Sequence, residues 1–266
     1  MSQLDPIVNQ PALYMNGLLL SNDATTPHTK LDVAPGICRD SNNIIDMNLG
    51  NYLGLSGVGT ANSTTVINFS VNGANGLDTG TFAASTAYYV FVIGDSSNKN
   101  PVAALASLSA TAPTLPFGYD SIRLIGYCRS DSSTFLLAMY TSGSTATRYF
   151  QWDAPIAVTV TSSGTSASYA AMDLSVGVPA TKFGKVSLKW KWTNNAAADT
   201  INFTPSSATG DFYTAIGQVA GVAMEDSFVI LPLAGTDFTT SKPEVSYKVS
   251  AGTLNNVYVQ AFEMAL

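Results

Sequence analysis

Residues 186–192 read Val-Ser-Leu-Lys-Trp-Lys-Trp, which sets Val186, Leu188, Trp190 and Trp192 on one side of an extended chain and Ser187, Lys189 and Lys191 on the other. Successive side chains of a strand point to opposite faces, so this two-residue alternation fits a sheet with one buried and one wet face and fits no helix. Strand-length runs recur at 65–71, 87–93, 122–127, 135–140, 157–161, 228–233, 245–249 and 257–264. Their β-branched and aromatic content favours extended backbone. Turn chemistry separates them: Asn72-Gly73, Asn75-Gly76, Gly94-Asp95, Asp131-Ser132-Ser133, Gly235-Thr236-Asp237, Gly252 and Asn255-Asn256. Asn-Gly supplies two residues tolerant of positive φ, so a tight reversal is expected there. Residues 102–108 are the one stretch assigned a short helical turn, stopped before Pro113 and Pro116. Nothing alternates strands with long helices, which sets an α/β fold aside.

The expected fold class is all-β, an extended N-terminal arm followed by two β-sandwich or jelly-roll-like domains. The arm is placed at 1–30, where Pro6, Pro11 and Pro27 surround one apolar island. Leu13, Tyr14, Met15, Leu18, Leu19 and Leu20 are its candidate docking residues. The first domain spans 31–155. A change of texture at Pro155 opens the distal domain, 156–266, whose expected core holds Val186, Leu188, Trp190 and Trp192.

Composition narrows function. Only 11% of the 266 residues are charged, against roughly 25% in ordinary soluble domains, and mean hydropathy is +0.17. The surface must therefore be built largely from Ser, Thr, Asn, Gly, Ala and aromatic residues, which suits packing against neighbours. A net charge of −6 without a Lys/Arg cluster argues against a nucleic-acid partner. No run approaches the roughly 18 apolar residues of a membrane span, and residues 1–5 lack the basic start of a secretory signal. Synthesis in a cytoplasm and no membrane insertion are the expectations. Cys38 and Cys128 lie in no metal-ligand spacing and read as two buried thiols.

The catalytic inventory is thin. The single histidine, His28, stands between Pro27 and Thr29, a poor place to hold an imidazole against a nucleophile. The glutamates are Glu225, Glu244 and Glu263; a carboxylate pair has to come from facing strands, and spacing leaves open Glu225 and Asp226 working with a distant partner, against the plainer reading of loop solvation. Asp40-Ser41-Asn42-Asn43 with Asp46 superficially resembles a calcium loop, but it lacks the glycine and glutamate that close one, and an Asx-type turn explains it. Glycines 54, 57 and 59 lack the strand-then-helix context of a phosphate loop. Asn-x-Ser/Thr triplets at Asn62, Asn68 and Asn202 matter only in a eukaryotic secretory route. Aromatic residues such as Tyr88, Tyr127, Trp152 and Trp190 read first as core or interface residues and second as a carbohydrate platform. The expectation is no catalytic residue, no cofactor and no metal.

Three ordered blocks carry a resemblance. Leu31-Asp32-Val33-Ala34-Pro35-Gly36-Ile37-Cys38-Arg39-Asp40-Ser41, continuing to Asp46, is the first. Gly76-Leu77-Asp78-Thr79-Gly80 leads through Tyr88-Tyr89-Val90 and Val92-Ile93-Gly94-Asp95 to Asn100-Pro101-Val102. Ala112-Pro113-Thr114-Leu115-Pro116, Gly118-Tyr119-Asp120 and Arg123-Leu124-Ile125-Gly126 close the series. Over about residues 25–155 the chain resembles minor virion proteins of tailed bacteriophages, a group of head-fibre, decoration and tail-fibre-like proteins. The resemblance implies a structural part of a virion and brings no catalytic residues. The expected function is a capsid decoration or head-fibre protein on the particle exterior, docked by its arm to capsid or tail proteins and self-associated as a homotrimer. A tail-fibre or collar adhesin that binds a host-surface glycan is the alternative.

Overall fold

A computed structural model of the chain describes residues 11–51, 62–144, 147–180, 183–205, 211–232 and 243–266. The fold is all-β and its contacts divide it into two compact units. One comprises residues 1–148 with Leu266, the other residues 149–265.

Unit 1 is built from β1 (Met15–Gly17), β2 (Leu20–Asn22), β3 (Lys30–Val33), β4 (Gly36–Arg39), β5 (Asp46–Leu49), β6 (Thr65–Asn68), β7 (Gly76–Leu77), β8 (Ala87–Gly94), β9 (Ala103–Ser107), β10 (Ser121–Arg129) and β11 (Met139–Ser144). Their order is β1-β4-β5 in one group, β10-β8-β9-β7 in a second and β11-β2-β3-β6 in a third. The continuous apolar run of β8 is buried from Tyr88 to Ile93 because β8 is an interior strand, flanked by β9 and β10, with both faces covered. In β6 the alternation holds, with Ile67 buried and Val66 exposed, but the strand stops at Asn68 and the chain turns through Gly73 and Asn75, both at positive φ.

Two expectations for unit 1 are corrected. Residues 103–107, within the stretch assigned a helical turn, form β9, since Ala103, Ala104 and Ala106 are small enough to pair closely along β8. Over residues 11–30 there is no free arm. Met15, Leu18 and Leu20 are buried in unit 1, while Leu13 is exposed and Tyr14 and Leu19 are half-buried. β1 pairs with β4 through Met15↔Cys38 and Gly17↔Gly36. A Cβ on Gly36 would meet the Asn16 carbonyl oxygen at 2.4 Å, so only glycine allows this approach. Two guanidiniums complete the attachment: Arg123 donates to the Leu13 carbonyl at 3.1 Å, and Arg148 donates to the carbonyls of Gly17, Leu18 and Ile125. Residues 1–10 of the expected arm, glycines 54, 57 and 59 and the break at 235–237 lie outside the described residues.

Unit 2 takes most of β12 (Thr147–Val158) and all of β13 (Ala170–Asp173), β14 (Phe183–Thr193), β15 (Thr200–Pro205), β16 (Tyr213–Ile216), β17 (Ala223–Pro232), β18 (Glu244–Val249) and β19 (Thr253–Ala265). The order is β17-β14-β19-β12 in one sheet and β13-β18-β15-β16 in the other. Inward faces meet in a sandwich core. Val186, Leu188, Trp190 and Trp192 are all buried, with Trp190 against Phe203 at 5.9 Å and Tyr213 at 6.4 Å between ring centroids. Phe150 stacks on Phe262 at 5.0 Å, and the Trp152 indole N–H donates to the Gly177 carbonyl at 2.9 Å.

Candidate functional site

The acidic residues are largely occupied in closing loops. Asp40 is buried, and its carboxylate accepts from the N–H groups of Asn42, Ile44 and Ile45, which makes 40–45 an Asx-anchored turn. Asp95 accepts from the N–H groups of Ser97, Lys99 and Asn100 and from the Ser97 hydroxyl and Asn100 amide. These bonds, led by the Ser97 hydroxyl, lower its pKa from 3.8 to about 2. Asp23, Asp131 and Asp199 close their loops in the same way. The pKa of Asp23 is lowered too, chiefly by the Thr26 N–H.

His28 packs its ring on Phe135 at 4.3 Å, and its carbonyl accepts from the Leu136 N–H at 2.8 Å. Cys38 and Cys128 are free and buried. Burial raises both thiols, Cys38 to about 12, so neither is a thiolate at neutral pH. Burial also lowers Arg148 to about 10, and the carbonyl oxygens it bonds hold its charge in place of a carboxylate.

Glu225 and Asp226 separate onto opposite faces of β17. The Glu225 carboxylate pairs with the Lys191 ammonium at 3.0 Å, and that bond lowers its pKa. Asp226 accepts from the Tyr213 hydroxyl at 2.8 Å, and burial together with this bond raises Tyr213 to about 12. Successive residues of a strand point to opposite faces, so the two carboxylates serve different neighbours, Lys191 and Tyr213.

On the outer face of unit 2 the same Glu225 lines a groove of about 330 Å³ with Pro155, Lys189, Lys191, Asn256 and Tyr258, and the Trp190 segment of β14 lies beneath. That volume falls in the roughly 300–1,000 Å³ range of small-molecule sites. Register places the residues. Lys189 lies opposite Tyr258, and Lys191 lies between Asn256 on β19 and Glu225 on β17. The groove is bracketed by two bulges in β19. Partners step from Val259 to Ala261 between Leu188 and Ser187, and from Asn256 to Leu254 between Lys191 and Trp192. Gln260 and Asn255 are thus the extra residues. Bulges bend a strand and sharpen its twist, which gives a physical origin for a concavity between them.

A second polar constellation lies on the other sheet. Lys248 pairs with Asp211 at 2.8 Å and sits 4.7 Å over the Tyr169 ring, while the Tyr169 hydroxyl donates to Asp211. Its members satisfy one another. Among the groove residues, the sequence marks Lys189 and Lys191 as a wet strand face and Glu225, with Asp226, as a candidate acid group, and carries no sign that Asn256, Tyr258 and Pro155 join them.

No family model, no curated protein and no solved structure matches the chain.

Proposed function

We propose that the chain is a structural component on the exterior of a tailed-phage particle, a capsid decoration or head-fibre protein. The observation that carries this reading is the use made of its few acid groups. Asp23, Asp40, Asp95, Asp131 and Asp199 bind the N–H groups of their own loops, and Glu225 and Asp226 diverge. These side chains stabilise loops of an extracellular scaffold. The resemblance of the blocks between residues 25 and 155 supports the same reading. Exposed apolar side chains supply contact surface for assembly: in unit 2 Phe212, Ile216, Val219 and Val222 lie within one short stretch that includes the edge strand β16. A homotrimer that covers this edge is part of the proposal. Quantitative mass spectrometry of density-purified particles tests it. Several copies per particle are expected, and particles that lack the chain contradict it.

The groove on β14 and β19 favours a second reading, an adhesin whose distal unit holds a host-surface glycan. A glycan array probed with the full chain separates the two, because a purely architectural protein shows no saturable binding.

A further inference from the structure

We infer that the groove of unit 2 takes an acidic saccharide, with the Lys189 ammonium on the sugar's carboxylate and the Tyr258 ring beneath one face of a pyranose. The inference rests on the adhesin reading and names its ligand class. Two ammonium groups and one carboxylate line the groove, which makes it net positive on a chain whose net charge is −6. Lys191 is taken by Glu225 at 3.0 Å. Lys189 is half-buried opposite Tyr258 and has no ion-pair partner among the described residues.

A partly desolvated ammonium in a concave site gains from an anion that brings charge-assisted hydrogen bonds, and a neutral sugar leaves it without that gain. The remaining lining suits a polyol. Asn256 offers both donor and acceptor, the Glu225 carboxylate accepts from hydroxyls, and the Tyr258 ring and Pro155 present apolar surface to C–H groups. A macromolecular partner of the same charge, such as an acidic segment of a second copy, is the competing occupant.

Isothermal titration of the full chain with oligogalacturonate and oligosialate, each beside its carboxyl-reduced neutral form, is the test. Saturable binding of an acidic oligomer is expected, with the reduced form at least tenfold weaker. Lys189→Met should lower affinity for the acidic form at least tenfold and leave that for the reduced form unchanged, with the melting profile preserved. Tyr258→Ala should weaken both. Equal binding of acidic and reduced forms overturns the charge assignment while leaving the adhesin reading intact. No saturable binding of either form overturns both. A Lys189→Met change in sedimentation without a change in sugar binding also overturns it, by making the face a contact between copies.

Discussion

Asp95 and Trp190 stabilise the fold by different means, one through charge and the other through volume. Asp95 is 4% exposed, and its pKa falls from 3.8 to about 2 because the folded loop donates to its ionised form. A carboxylate with a depressed folded pKa stabilises the fold above its unfolded pKa, and that contribution disappears as pH falls through the folded value. The loop 95–100 should therefore keep its amide protection at pH 5 and lose it between about pH 4 and pH 2. Hydrogen exchange at Ser97 and Asn100 checks this, and a loss above pH 5 would contradict the assigned bonds. Trp190 acts through volume. Its ring fills the sandwich beside Phe203 and Tyr213, so Trp190→Ala should destabilise unit 2 by about 3–5 kcal/mol. A denaturant titration followed in unit 2 measures the loss, and an unchanged midpoint would place the ring outside the core.

Elements show how much of this fold is readable in sequence. The amphipathic alternation of β14 and the apolar run of β8 announce themselves because each is a local pattern, and both are strands with the expected faces buried. β13, β15 and β16 carry weaker patterns that do not stand out, and β12 is legible only at its end. Residues 11–22 are illegible for a different reason: what holds them is distant. Arg123 and Arg148 reach their carbonyls across 110 and 130 residues, and Gly36 meets β1 only after β4 is in place. The groove has the same origin, since Tyr258 and Lys189 become neighbours only through the β14–β19 register and its bulges. Placement of β1 and β2 within unit 1 yields a prediction of its own. Deleting residues 11–22 should lower the unfolding temperature of unit 1 or abolish its transition, because it removes Met15, Leu18 and Leu20 from the core and strands the buried guanidinium of Arg148. Differential scanning calorimetry reads the outcome. A truncated chain with both transitions intact would restore the arm.

At the scale of the molecule, two all-β units with few charges offer their neighbours edges and apolar side chains more than reactive groups. Phe117 stands fully exposed on a turn and Leu108 is 62% exposed in unit 1, while Phe212, Ile216, Val219 and Val222 form the corresponding apolar set of unit 2. Closed assembly covers such surfaces, so sedimentation equilibrium of the full chain should return about three times the 27.8 kDa monomer mass. A monomer at all concentrations would remove self-association from the proposal. The claim on which the account rests is that this chain belongs to the outside of a phage particle. Electron microscopy of intact, purified particles labelled with gold-conjugated antibody tests it most directly. The account predicts label at fixed positions on the exterior of most particles, and unlabelled particles beside free, soluble antigen would contradict it.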